Sequence, residues 1–116
     1  MIDRQQQGCS RSDGSSRSVV SEIDRLVHEP ARLIIMAYLY GVDGADYVFL
    51  MKSTGLTWGN LSSHLNRLED AAYIEVTKEF VDRKPHTMAK LTRKGREAFD
   101  AYRRLMRELF EGLPCA

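Results

Sequence analysis

The clearest periodic pattern in the chain is an apolar stripe within residues 57–73. Its members recur at three- and four-residue spacing, at Leu61, Leu65, Leu68 and Ala72. At about 100° per residue this spacing places them on one face of an α-helix. The threonine that opens the segment is a favourable N-cap residue. The pattern therefore predicts a helix with one buried face and an opposite face of short polar side chains.

Shorter apolar patterns predict three helices before this one. A short helix capped by Ser21 is expected to end at Pro30, which suits the first turn of the next helix because its missing N–H would be unpaired there. That next, strongly apolar helix ends at Gly41. A third covers Asp46–Ser53, and a glycine-containing turn, Thr54–Thr57, joins it to the long helix. Two helices joined in this way are typical of a helix-turn-helix.

Alternating polar and apolar residues replace the helical spacing after the long helix. The segment Tyr73–Phe80 is rich in β-branched and aromatic residues, Val81–Pro85 is a charged turn, and Thr87–Leu91 alternates again. These features predict a β-hairpin with a basic tip directly after a recognition helix, which is a wing. The fold class is therefore mainly α with a small β-hairpin (α+β), a winged helix-turn-helix.

A long C-terminal helix is predicted from Thr92 to about Glu111. The apolar residues of its stripe are Phe99, Tyr102, Leu105, Met106, Leu109 and Phe110. This stripe is larger than one small domain covers by itself, so a partner helix is implied. We expect these residues to form the interface of a homodimer.

The composition fits one domain. The chain has 116 residues, 43% of them hydrophobic, and we expect a winged-helix domain over residues 18–113 after a flexible polar arm at residues 1–17. The net charge is only +1, so any affinity for DNA depends on where the charges lie. Residues 83–96 hold six basic residues and no acidic one. The positive field is thus local to the hairpin and to the first residues of the C-terminal helix.

Candidate DNA contacts lie on two elements. On the long helix, short or hydrogen-bonding side chains suit a major groove, namely Thr57, Gly59, Asn60, Ser63, His64 and Arg67. For His64, a groove contact and a structural hydrogen bond remain equally open. On the wing, the residues that can reach phosphates or a minor groove are Arg83, Lys84 and His86. Three further candidates for this DNA-facing edge are Arg93, Lys94 and Arg96, and for Lys94 and Arg96 a solvated helix face is an equal alternative.

Other function classes lack support in the sequence. No catalytic triad, paired carboxylates or phosphate-binding glycine loop occurs in a fitting context, so we expect neither an enzyme nor a cofactor. The three histidines are scattered, and Cys9 and Cys115 lie near opposite ends, so we expect free thiols and no metal site. No apolar stretch approaches the ~18 residues of a membrane span, which predicts a cytoplasmic protein.

Three motifs in order resemble one known group of proteins. They are the stretch from His28 to Met36, the stretch from Thr54 to Leu65 with its Thr-Gly-Leu-Thr and Gly-Asn-Leu-Ser segments, and Leu91-Thr-Arg-Lys-Gly-Arg. The chain resembles small winged helix-turn-helix transcriptional regulators of the MarR/ArsR-like superfamily over roughly residues 21–110. The metal-sensing branches of that superfamily use cysteine or histidine clusters, which this sequence lacks.

The resemblance implies a homodimer with one recognition helix on each half of a pseudo-palindromic site in double-stranded DNA. It also implies control of transcription, by repression. Two alternatives stay open: a winged-helix module that contacts protein, and a switch that binds an effector near Tyr38, Tyr40, Phe99 and Tyr102.

Overall fold

The computed structural model describes residues 22–113, which form four helices and a three-stranded antiparallel sheet. The elements in chain order are α1 (Pro30–Tyr40), β1 (Ala45–Asp46), α2 (Tyr47–Thr54), α3 (Trp58–Asp70), β2 (Ile74–Val81), β3 (Lys84–Leu91) and α4 (Arg93–Glu111). This order confirms the predicted α+β winged helix-turn-helix with a long C-terminal helix. None of the helices in the described range combines the length and the apolar character needed to cross a membrane.

The sheet has the order β1-β3-β2. The β2–β3 hairpin is in register from Ile74 opposite Leu91 to Val81 opposite Lys84. It is longer than predicted, and its turn has only two residues. β1 pairs with β3 through Ala45 opposite Ala89. The sequence analysis missed β1, because two residues are too short to show an alternating pattern.

The helix predicted before Pro30 is wrong in its C-terminal part, where residues 25–27 form a turn. Asp24 Oδ1 accepts hydrogen bonds from the backbone N–H groups of Leu26 (2.9 Å) and Val27 (3.3 Å). Such a local side-chain bond competes with the helical hydrogen-bond ladder and favours a turn. The predicted cap Ser21, the arm at residues 1–17 and both cysteines lie outside the described residues.

The predicted apolar stripe of α3 is confirmed except at its end. Leu61, Leu65 and Leu68 are fully buried, each worth roughly 1.5–3 kcal/mol of burial. Ala72, however, lies beyond the helix with a φ of 65°. The Ala72 N–H bonds to the carbonyl of Glu69 and the Tyr73 N–H to that of Leu68, both at 2.9 Å, which is the Schellman pattern. The helix therefore ends before its apolar spacing does.

The core lies where α1, α3 and the base of the sheet meet. Its fully buried side chains are Val27, Ile35, Met36, Leu39, Leu50, Leu61, Leu65 and Leu68. Within residues 22–113 no polar or charged side chain is buried. The interior thus avoids the cost of burying unpaired polar groups.

One junction joins the end of α3, both ends of the hairpin and the start of α4. The Thr92 N–H donates to the carbonyl of Tyr73 (3.0 Å), and the Thr92 hydroxyl donates to that of Ala72 (2.6 Å). The same hydroxyl oxygen caps α4 by accepting from the N–H of Gly95 (3.0 Å). A Cβ on Gly95 would lie 2.0 Å from the Tyr73 carbonyl oxygen. Only glycine fits there without a backbone shift.

Gly95→Ala should lower the free energy of unfolding by about 1–3 kcal/mol, as expected when a methyl group is forced into a packed site. Urea unfolding measures the change. Gly59→Ala is the matched control, because nothing lies within 4 Å of its added Cβ. In a helix this control should be neutral or stabilising by up to about 1 kcal/mol. Equal stability of the two variants would contradict the close packing at Gly95.

Tyr73 should make stability depend on alkaline pH. Partial burial and the hydrogen bond that its hydroxyl donates to Asp24 Oδ2 (2.5 Å) raise the pKa of Tyr73 to about 12, against ~10 in an unfolded chain. The folded state holds this proton more tightly, so the stabilisation is complete below pH ~10 and is lost as pH rises towards 12. Over that range the unfolding free energy of the wild type should fall more steeply than that of Tyr73→Phe. Parallel curves would show that the folded environment leaves this phenol unchanged.

Candidate nucleic-acid interface

The exposed face of α3 holds most of the predicted contacts. The exposed candidates on it and at its cap are Thr57, Gly59, Asn60, Ser63 and Arg67. They lie opposite three fully buried leucines, so burial fixes how the helix is rotated about its axis. A helix anchored in this way presents the same set of small and hydrogen-bonding groups outward.

The start of α3 is fixed by a turn, a cap and an aromatic contact. Gly55 takes a φ of 77° at the end of α2, a conformation that costs glycine little. The Thr57 side-chain oxygen then accepts from the N–H of Asn60 at 3.2 Å. The ring of Trp58 packs on Tyr47 of α2 at 5.2 Å between centroids. These contacts hold the N-terminal turn of α3 in place, where Gly59 and Asn60 are exposed.

His64 differs from the other candidates because it contacts α1. Its Nδ1 lies 3.2 Å from Nη1 of Arg32 and 3.9 Å from Oε1 of Glu29. A guanidinium group only donates hydrogen bonds, so the Nδ1 of a neutral His64 accepts and the ring carries its proton on Nε2. Of the two alternatives left open by the sequence, the structural hydrogen bond is present.

Arg32 and Glu29 form a small polar cluster with His64 that the sequence analysis missed. Arg32 Nε donates to the carbonyl of Leu26 (2.8 Å), and Glu29 caps α1 by accepting from the Arg32 N–H (2.8 Å). Partial burial would raise the pKa of Glu29, but the hydrogen bonds from the Arg32 and Ala31 N–H groups and the positive charge of Arg32 lower it. Arg32 and His64 are 32 positions apart, and no local pattern signals such a pair.

The wing tip is a two-residue turn. Asp82 and Arg83 have φ values of 53° and 66°, the positive values of a type I′ hairpin turn, whose twist matches that of the strands. Arg83 and Lys84 are both exposed there. The tip therefore presents two cations at the end of a rigid hairpin.

His86 lies further down the wing and is half-buried. Its Nδ1 is 3.5 Å from Oδ2 of Asp46, the N-cap residue of α2. The structure thus places His86 against the helix-turn-helix, apart from the exposed tip.

The basic residues after the wing divide into two sets. Arg93 is exposed beside Glu97 (3.4 Å) and Lys94 lies over the ring of Tyr73 (5.7 Å). Arg96 instead donates to the carbonyl of Tyr40 at 3.1 Å and stacks on its ring at 4.6 Å. The two alternatives for Arg96 were a DNA-facing edge and a solvated helix face. Its guanidinium is at neither, because it binds the end of α1.

The apolar stripe of α4 changes surroundings along its length. Phe99 and Tyr102 belong to the core of the same chain, where Phe99 packs on Tyr40 (5.3 Å) and the Tyr102 hydroxyl lies 2.7 Å from His28 Nδ1. Two of the six predicted interface residues are therefore already covered by α1 and the turn before it. The stripe is half-buried at Leu105 and Met106 and then open, with Leu109, Phe110 and Leu113 exposed by 36%, 64% and 50%.

The four aromatics considered for an effector are engaged in ring contacts within the chain. Tyr40 packs on Phe99 (5.3 Å), Tyr38 packs on Phe49 (6.3 Å), and Tyr102 packs on His28 (5.7 Å). The four rings thus belong to three separate contacts within the chain.

Comparison with known proteins identifies the domain. A family model described as a winged helix DNA-binding domain matches residues 31–110. The chain belongs to this family. It is 32% identical over 91 residues to an uncharacterized protein of Methanocaldococcus jannaschii, covering 78% of this chain and 99% of that protein. The family match confirms the predicted resemblance to winged-helix DNA-binding proteins.

Two solved structures resemble this winged-helix domain in fold. A transcriptional regulator homologue from Pyrococcus horikoshii has a TM-score of 0.76 at 26% identity, covering 86% of this chain and 97% of that one. A mutant of MarR from E. coli in complex with operator DNA has a TM-score of 0.56 at 20% identity, covering 85% and 79%. At this identity the similarity to MarR shows a shared fold and no more.

Replacing Arg83 and Lys84 by alanine should weaken binding to all duplex sequences alike. If both meet phosphates, binding should release roughly two fewer counterions, so the slope of log affinity against log salt should become shallower by about two. Fluorescence anisotropy at several salt concentrations measures this. Arg104→Ala with Arg107→Ala removes the same charge from exposed positions of α4 and is the control. A slope equal to that of the wild type would show that the wing tip does not touch DNA.

Proposed function

We propose that this chain is a homodimeric transcriptional regulator that binds a pseudo-palindromic duplex site and represses transcription by blocking access of the polymerase. One observation carries this proposal: the exposed face of α3 presents hydrogen-bonding side chains and a glycine opposite three fully buried leucines. A helix with that division of faces suits the major groove, where each base pair has a distinct set of donors and acceptors.

Base and phosphate contacts divide between α3 and the wing. Asn60 and Arg67 carry the amide and guanidinium groups that pair with adenine and guanine edges. Thr57 and Ser63 carry hydroxyl groups that can form hydrogen bonds with phosphates. Gly59 allows the backbone to approach DNA closely because it has no Cβ. His64 uses Nδ1 within the protein, which leaves the Nε2–H as its donor towards DNA.

The wing supplies charge beside the half-site. Arg83 and Lys84 at the exposed tip reach phosphates or the minor groove, while His86, held near Asp46, contributes nearer the base of the wing. Phosphate contacts orient a protein on the duplex without reading its sequence. In this proposal α3 therefore determines which sequence is bound, and the wing determines how tightly duplexes of any sequence are held.

The open part of the α4 stripe supports a dimer. The helix spans 19 residues, about 28 Å at 1.5 Å per residue, and it packs on its own core only as far as Met106. The dimer interface that we propose is accordingly centred on Leu105, Met106, Leu109 and Phe110, with Phe99 and Tyr102 supporting it from within the core. A two-fold axis there would present two copies of α3 to successive major grooves about 34–36 Å apart.

Selection from random duplexes tests the proposed function directly. The wild type should enrich one pseudo-palindromic motif. Asn60→Ala and Arg67→Ala should each bind that motif about 1–3 kcal/mol more weakly and relax the preference at particular base pairs, since each removes a base-reading group. Arg107→Ala is the charge-matched control for Arg67→Ala. Failure of the wild type to enrich any motif would contradict sequence-specific binding, and unchanged motifs in both variants would contradict the assigned contacts.

Leu109→Glu combined with Phe110→Glu should convert the dimer to a folded monomer. Both side chains are at least one-third exposed in the single chain, so charge there disfavours association far more than folding. Light scattering and circular dichroism measure mass and fold. Arg104→Glu changes the net charge by the same two negative units at an exposed polar position of the same helix segment and should leave the mass at two chains. A wild-type mass of one chain at micromolar concentration would overturn the dimer.

A further inference from the structure

Phe80 is the most exposed large apolar side chain in the described part of the protein, at 77% exposure. It lies two residues before the wing turn, directly opposite Pro85, which is also exposed. A single exposed apolar residue needs no explanation by itself. This one, however, is part of a pair at the end of the element whose tip bears Arg83 and Lys84.

The register assigns this pair to one face of the wing. Alternate residues of a strand lie on the same face, so Phe80 and Pro85 share a face with Ile74 and Leu91, which belong to the same core as the α3 leucines. We call this the inner face of the wing. It lies on the side of the sheet to which α3 packs, so a duplex that follows α3 meets this face at the wing tip.

Charge on the two faces differs. The hairpin residues that share the inner face include Lys78 and no acidic residue. The carboxylates of the strands, Glu75 and Glu79, belong to the outer face, where Glu75 pairs with Lys90 at 3.8 Å and Glu79 lies opposite His86. Asp82 lies in the turn itself. On the inner face the apolar pair thus has one charged neighbour, Lys78, whereas Lys84 and Lys90 lie on the outer face with the two carboxylates. The inner face therefore carries no negative charge that would repel a phosphate backbone.

We propose that Phe80 and Pro85 form an apolar contact surface that enters the minor groove beside the half-site bound by α3. The proposal rests on the proposed function, because it assigns the duplex as the partner of this surface. The minor groove has apolar sugar walls, and proteins that enter it frequently use apolar side chains as wedges. Pro85 suits the role because its position on a hairpin edge needs no backbone donor.

An apolar contact and a phosphate contact differ in their response to salt. Burying a phenyl ring releases no counterions, so its loss should shift the plot of log affinity against log salt without changing the slope. The wing-tip cations should do the opposite and change the slope. This difference separates the role of Phe80 from that of Arg83 and Lys84.

The test uses the full chain and the duplex that the wild type selects, titrated at several salt concentrations. Phe80→Ala should bind about tenfold more weakly, ~1.4 kcal/mol, at every salt concentration and with the wild-type slope. Phe80→Leu should recover most of the affinity. Val81→Ala is the control, because Val81 is also exposed (48%) but lies on the outer face, and it should bind like the wild type. All variants should melt at the wild-type temperature.

A second arm locates the contact in the groove. Replacing G·C by inosine·C pairs under the wing removes the guanine amino group from the minor groove and leaves the major-groove acceptors in place. This replacement should tighten binding of the wild type more than that of Phe80→Ala. Equal effects on both proteins would overturn the minor-groove placement.

The outcomes also separate this inference from the proposed function. If the wild type binds no duplex, the proposed function fails and this inference fails with it. If the wild type binds and Phe80→Ala matches it, this inference alone is overturned. A reduced salt slope in Phe80→Ala, or a change in its sedimentation mass, overturns it as well, because the ring would then act by moving the cations or by contacting a second copy of the chain.

Discussion

The close approach of α4 to the end of α3 is the constraint on which the rest of the structure depends. Thr92 bonds to the carbonyls of Ala72 and Tyr73, and the absence of a side chain on Gly95 lets α4 meet the Tyr73 carbonyl. The helix α3 ends there, the β2–β3 hairpin begins and ends there, and α4 starts there. A few backbone contacts thus fix these three elements relative to one another.

The elements with strong local patterns could be predicted from the sequence. The spacing of Leu61, Leu65 and Leu68 was sufficient to place α3 and its buried face, because full burial of a leucine stripe leaves a helix one stable rotation. The hairpin was predictable from its alternation, although its turn proved shorter. Conversely, β1 was too short for any pattern, and the end of α3 depended on a Schellman motif formed by Ala72, a residue with no special preference for positive φ.

Contacts between distant positions could not be predicted. Arg96 looked like a free cation beside the wing, yet its guanidinium binds the carbonyl and ring of Tyr40, 56 positions away. For His64 the sequence left a groove contact and a structural hydrogen bond equally open, and its Nδ1 meets Arg32. Each side chain carries groups that suit DNA and suit a partner within the protein equally well. Only the packing of α1 against α3 and α4 decides which partner is within reach.

The α4 stripe shows why core and interface residues are hard to separate in a sequence. Phe99 and Phe110 occupy the same stripe, but the first is buried under α1 and the second is 64% exposed. The stripe extends beyond the part of α4 that α1 covers, since α1 is only 11 residues long. In the proposed dimer one continuous helix would therefore pack on its own core as far as Met106 and on the partner with its last turns. The distance between the two copies of α3 would then be set by the same packing that folds each chain. No flexible linker would separate the proposed DNA-binding helix from the proposed dimer interface.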